Sequence, residues 1–96
     1  MTLDEEVRRA NQAERILNDD MYREAFTAVR DEIIAQWEQA PARDSEGRDR
    51  LWLMLKLLER LKGHLTGVME TGTLAKKQIA DVQEQNRISR WINGIT

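Results

Sequence analysis

The side chains that could carry out chemistry are few in this chain, and they do not form a cluster. His64 is the only histidine and there is no cysteine, so a thiolate metal site and a cysteine nucleophile are excluded. Metal binding and acid–base catalysis need a histidine grouped with other ligands or carboxylates, but the charged residues around His64 are Glu59, Arg60 and Lys62. His64 therefore fits an ordinary helix-surface position. The sequence predicts a protein that is not an enzyme and uses no metal or cofactor.

Basic residues offer a second kind of chemistry, the binding of nucleic acid. Arg87 and Arg90 lie beside Trp91, whose ring could stack on a base. A DNA-reading protein usually shows a denser basic stripe or a helix-turn-helix, whereas the net charge of this chain is −2. Nucleic-acid binding is therefore kept as an alternative function, and its predicted contacts are Arg87, Arg90 and Trp91.

The elements that would position these residues are helices. The chain has 96 residues, with five glycines, one proline and a third of its residues charged. Its β-branched and aromatic residues do not alternate as they would in strands, and a chain of this length holds one core at most. We predict an all-α fold with a single domain over residues 1–96.

Two helices are predicted before the only proline. Thr2 and Glu5 have the spacing of a capping box, which indicates a first, short helix over residues 3–17. A polar break with good capping residues follows, and a second helix is predicted over residues 20–39. This helix should end near Pro41, because the residue before a proline disfavours the helical conformation. The apolar face of the second helix comprises Tyr22, Phe26, Val29, Ile33 and Trp37.

The longest predicted helix begins near residue 45. Apolar residues recur at steps of three and four from Leu51 to Val82, with only Gly72 interrupting, which is typical of a helix with one apolar seam. We predict a helix over residues 45–85, either continuous or broken at Gly72, because glycine commonly ends helices. The apolar phase changes after Val82, so residues 87–93 are predicted as a separate short helix.

Gly63 and Gly67 lie four residues apart inside the long helix. Each costs about 1 kcal/mol of helix stability relative to alanine. Either they mark the close approach of another helix, or glycine is simply tolerated at these positions because they lie on an exposed face of the helix.

The lengths of these helices predict self-association. The short link around Pro41 favours an antiparallel hairpin of the second and third helices, yet a helix of about 40 residues is on the order of 60 Å long, more than the second helix can cover. Residues 51–58 are also apolar on nearly all sides. We therefore predict a homo-oligomer. Its predicted interface residues are Leu51, Trp52, Leu55, Leu58, Ile79, Val82, Trp91 and Ile92.

Charge is distributed unevenly along the chain. Residues 1–49 contain 13 acidic and 7 basic residues, whereas residues 50–96 contain 4 acidic and 8 basic residues. This pattern fits an acidic segment packed along a basic one, within a protomer or between subunits. The acidic N-terminus lacks the apolar segment of a signal peptide, and the apolar run at 51–61 is too short to cross a bilayer. We expect a soluble, cytoplasmic protein without membrane contact.

Residues 18–79 carry three characteristic stretches: the turn PARDSEGR at 41–48, the run LWLML at 51–55 and ETGTLA at 70–75. On these stretches the chain resembles small all-helical proteins encoded by tailed bacteriophages. The resemblance implies virion assembly, DNA packaging or contact with a host protein, in the host cytoplasm or the virion. Small terminase subunits typically place a helix-turn-helix before an oligomerisation segment, and this chain shows no helix-turn-helix.

The sequence therefore predicts a non-enzymatic protein-interaction or assembly protein that acts as a homo-oligomer, as a virion-assembly or structural component. The alternative is a DNA-packaging protein similar to small terminase subunits, or another DNA-binding oligomer.

Overall fold

The computed structural model describes residues 1–95 and contains three helices: α1 (Leu3–Leu17), α2 (Asp20–Gln39) and α3 (Ser45–Ile95). No residue of this range lies in a β-strand, so the all-α prediction is confirmed. Thr96, the last residue of the predicted domain, lies outside the described residues, as does the side chain of Ile95.

Polar caps and a proline set the limits of α2 and α3. Asp19 accepts a hydrogen bond from the backbone N–H of Tyr22 at 2.9 Å, which satisfies a donor that the first turn of α2 leaves free. Ala40, which precedes the proline, has extended backbone angles, and α2 ends there. Asp44 accepts the N–H of Gly47 at 3.0 Å and starts α3 in the same way.

α3 is one helix of 51 residues, about 76 Å long. It passes through Gly72 without a break and continues through residues 83–86, so the predicted separate helix at 87–93 is wrong. The apolar stripe changes its face after Val82, but Gln83, Glu84 and Gln85 at the change are good helix formers. Arg87 pairs with Glu84 across this point at 2.6 Å, as residues one turn apart on a helix do.

α1 packs against α3 at Gly72. A Cβ added to Gly72 would overlap the Cβ of Ala10 and lie 3.0 Å from the carbonyl oxygen of Glu6. Ala13 and Ala75 are also buried. The two helices therefore approach through alanine and glycine, and Gly72 serves this close contact rather than a helix end.

α2 packs along the first part of α3. The guanidinium of Arg48 lies 4.2 Å from the centre of the Trp37 ring, and Nζ of Lys62 lies 4.8 Å from the centre of the Phe26 ring. Ile33 is the buried side chain of α2, with 6% of the residue exposed.

The protomer is elongated because α1 and α2 cover only parts of α3. It measures 80 × 25 × 19 Å and has a radius of gyration of 22.1 Å, whereas a compact chain of this length has a radius of about 12 Å. Every residue from 80 to 94 is exposed. The C-terminal part of α3 therefore projects beyond the other two helices.

Candidate interaction surfaces

The eight residues predicted for the oligomer interface fall into two groups. Leu51, Leu55, Leu58 and Ile79 are half-buried within the protomer. Trp52, Val82, Trp91 and Ile92 are exposed. The structure does not bring the eight together, and the exposed group is the part that a partner can reach without disturbing the protomer.

Four further apolar side chains of α3 are exposed and were not among the predicted interface residues. Leu53, Met54, Leu57 and Leu61 expose between 49% and 63% of their surface. Their spacing places them on one side of α3, and we call them the leucine face. The available signal was the apolar run at 51–58, but its spacing alone does not say which side α2 covers.

A groove lies between α2 and α3 on the side of Trp52. Its first part is apolar apart from Glu38 and is lined by Ile33, Ile34, Trp37, Glu38, Leu51, Trp52 and Leu55. Its second part is more polar and is lined by Phe26, Arg30, Glu59, Lys62, Gly63, Thr66, Gly67 and Glu70. We call the two parts together the α2/α3 groove.

Gly63 and Gly67 lie in the second part of the α2/α3 groove. A Cβ added to either glycine would meet no atom within 4 Å. No helix of the same protomer therefore makes a close approach there, in contrast to Gly72.

The projecting end of α3 carries apolar side chains that are about half or more exposed. Ile88, Trp91 and Ile92 are all exposed, with 68% exposure for Trp91. Exposed apolar groups that recur on one side of a helix commonly mark a contact with another molecule.

The predicted nucleic-acid contacts also lie on this projecting end. Arg87 and Arg90 are three residues apart and exposed, and Trp91 follows directly. Arg87 donates a hydrogen bond to Oε1 of Glu84 at 2.6 Å. Because Asp81 and Glu84 balance the two arginines, this end of α3 does not form a basic stripe.

His64 lies on the surface of α3. His64 is exposed beside an open hollow that Met1, Glu6 and Arg9 also line. Among residues 1–95, no group of three or more histidine, aspartate or glutamate side chains is placed to hold a metal ion. Within the same range, every helix is too short or too polar to cross a membrane.

Tyr22 carries a buried hydroxyl without a hydrogen-bond partner. Its ring lies 6.2 Å from that of Phe26, between centroids. An unpaired buried polar group costs about 1–3 kcal/mol, so we expect Tyr22→Phe to keep or raise the free energy of unfolding, by up to about 1 kcal/mol. Urea denaturation measures it, with Tyr22→Leu as the control that also removes the ring. A clear loss in Tyr22→Phe would mean that the hydroxyl has a partner.

Comparison of the chain with protein-family models, with curated proteins and with solved structures gives no match. The surfaces described above are therefore the basis for assigning a function.

Proposed function

We propose that this protein is a non-enzymatic assembly or adaptor protein that acts as a homo-oligomer. The observation that carries the proposal is its accessible surface of 7783 Å². A compact monomer of 11.2 kDa exposes about 5,700 Å². The excess of about 2,000 Å² is more than the roughly 800 Å² that each partner buries in a standard-size protein–protein interface.

The small core of the protomer supports this proposal. Its buried hydrophobic residues are Ala10, Ala13, Ile33 and Ala75, and no large side chain of the described residues is fully buried. Apolar burial is the main stabilising contribution to a folded domain. The exposed leucine, isoleucine and tryptophan side chains of α3 would add that contribution only in a complex.

An antiparallel hairpin of α2 and α3 is part of the proposal. Two contacts support it, the one between Trp37 and Arg48 and the one between Phe26 and Lys62. Along α2 the residue number falls from the first contact to the second, while along α3 it rises, as antiparallel neighbours require. Such a hairpin leaves both the α2/α3 groove and the leucine face open to partners.

From the resemblance to small phage proteins, we propose virion assembly as the process, in the host cytoplasm or the virion. Further phage or host proteins would then be partners beside the second copy of the chain. Arg60 lies directly before Leu61 of the leucine face, and Arg50, one turn before Met54, pairs with Glu46 at 3.4 Å. The charge of Arg60 favours an acidic amphipathic segment as a heterologous partner there.

The solution mass tests the homo-oligomer. We expect light scattering coupled to size exclusion to give a mass of at least twice 11.2 kDa at the higher of several protein concentrations. A mass of one protomer at every concentration would contradict the proposal. The same experiment with an added binding partner would then be needed to find the function.

A DNA-packaging or other DNA-binding oligomer is the alternative function. The exposure of Arg87, Arg90 and Trp91 on the projecting end of α3 is the observation that favours it. This function predicts DNA retention that weakens as salt rises and is lost in Arg87→Glu/Arg90→Glu. We favour a protein partner because acidic residues balance these arginines, and absence of DNA retention at low salt would remove the alternative.

A further inference from the structure

We propose that the α2/α3 groove of one protomer binds the C-terminal half of α3 from a second copy, so that the two α3 helices pack antiparallel. This inference deepens the proposed function and rests on it. The occupant is a second copy of this chain, and the bound segment comprises residues 74–92.

One side of α3 carries both the groove and the bound segment. Helical steps of three and four residues lead along this side from Trp52 through Glu59, Gly63, Glu70 and Lys77 to Ile88, and all six residues are exposed in the protomer. The side is apolar at its two ends and charged or small in its middle. Two such surfaces can be complementary when one is reversed.

The apolar ends match in an antiparallel pair. Trp52 and Ile92 lie equally far from position 72 along α3, so a pair centred there brings each Trp52 beside Ile92 of the other copy. The apolar part of the groove, between Trp37 and Leu55, then receives Ile88 and Trp91 of the second copy. These exposed side chains would be buried at both ends of the dimer.

Charge is less unfavourable in the antiparallel direction than in the parallel one. In a parallel pair in register, Glu59 would face Glu59 of the second copy. Glu70 and Lys77 would likewise face their own counterparts, so each of these contacts would be repulsive. In the antiparallel pair centred at position 72, Glu70 lies opposite Leu74 of the second copy and within one turn of Lys77. At the same register Lys56, which pairs with Glu59 in its own copy, lies one turn from Glu84 of the second copy. Opposite charges across an interface favour one register and suppress others.

The two open glycines fit this arrangement. Gly63 and Gly67 lie opposite Asp81 and Lys77 of the second copy in the same register. Because no atom of the protomer lies within 4 Å of a Cβ at either glycine, the long side chain of Lys77 can pass over the helix backbone. A side chain at the glycines would reduce this space.

The leucine face takes no part in this contact. Leu57 and Leu61 lie on a different side of α3 from Trp52 and Glu59, according to their helical spacing. Leu57→Asp is therefore a matched control for a substitution in the proposed contact.

Single cysteines test the arrangement, because the native chain has none. Leu74 lies opposite Glu70 of the second copy near the centre of the pair, so a mixture of Leu74→Cys and Glu70→Cys should form a disulfide dimer. In Glu59→Cys and in Gln85→Cys, the two equivalent thiols would be about 40 Å apart, so neither variant should cross-link alone. A mixture of Glu59→Cys and Gln85→Cys should give the mixed disulfide dimer. This pattern supports the inference.

Cross-linking of Gln85→Cys alone would indicate parallel helices and overturn the inference, while a dimeric mass would still support the homo-oligomer. An absence of every cross-link in a protein of dimeric mass would also overturn it. Ile88→Asp changes an exposed residue and should lower the mass to one protomer, whereas Leu57→Asp should not. The reverse result would assign the dimer contact to the leucine face. A monomeric native protein would contradict the proposed function itself.

Discussion

Replacement of Gly72 by leucine is expected to detach α1 from α3 and to lower the free energy of unfolding by about 3 kcal/mol. Even the first carbon of a side chain at this position would overlap Ala10 and come within 3.0 Å of the Glu6 carbonyl oxygen. These atoms belong to a helix backbone and to a side chain without rotamers, so neither can move aside. The helices must separate to accept leucine.

Gly94→Leu is the matched control for Gly72→Leu, because no atom lies within 4 Å of a Cβ at Gly94. We expect urea denaturation, followed by circular dichroism, to show the loss only in Gly72→Leu. Trypsin should also cleave that variant faster at Arg8, Arg9 and Arg15, because a free helix of this length is marginal in water. Equal stability and equal cleavage in the two variants would contradict the close contact at Gly72.

Gly72 shows where sequence pattern stops being informative. The apolar spacing stays in phase across Gly72, which favours a continuous helix, but a glycine there is also a common helix end. The residue that decides between these readings is Ala10, on a helix far away in the sequence. Local signals carry no information about such a contact.

Helix limits set by local chemistry agree with the sequence-based ones. α1 begins after Thr2, whose hydroxyl oxygen accepts the N–H of Glu5 at 3.2 Å, and α2 begins after Asp19 and ends before Pro41. The end of α3 differs because a change in apolar phase was taken for a break in the helix. Phase reports which side of a helix meets a partner, whereas a break requires a change of backbone conformation.

The interface residues were predictable as a class but not one by one. The length of α3 and its apolar run indicate that a partner is needed, yet Leu51 and Leu55 are half-buried while Trp52 and Leu53 are exposed. This difference depends on the side from which α2 approaches. The spacing of an all-round apolar run leaves that side undefined.

The two helix contacts of α3 also differ in the way they are stabilised. α1 is held by close approach of backbones through alanine and glycine, whereas α2 offers larger side chains, of which Ile33 alone is buried. Truncation of Ile33 should therefore weaken the contact between α2 and α3 more than truncation of any other single side chain of α2.

Ile33→Ala is expected to lower the free energy of unfolding by about 2–4 kcal/mol. Ile33 is 6% exposed and lines the first part of the α2/α3 groove with Leu51 and Leu55. Truncation removes apolar burial and leaves a cavity, and both effects destabilise the folded state. A small domain has about 5–15 kcal/mol in total, so this loss is large.

Val29→Ala is the control for Ile33→Ala, because Val29 is on the same helix but 45% exposed, and it should cost less than about 1 kcal/mol. Urea denaturation of both variants must use one protein concentration at which their masses are equal, because association adds to apparent stability. Equal losses would show that α2 is not held on α3 through Ile33. A larger loss in Ile33→Ala, with a lower dimer affinity than in Val29→Ala, would tie the shape of the groove to its binding of the second copy.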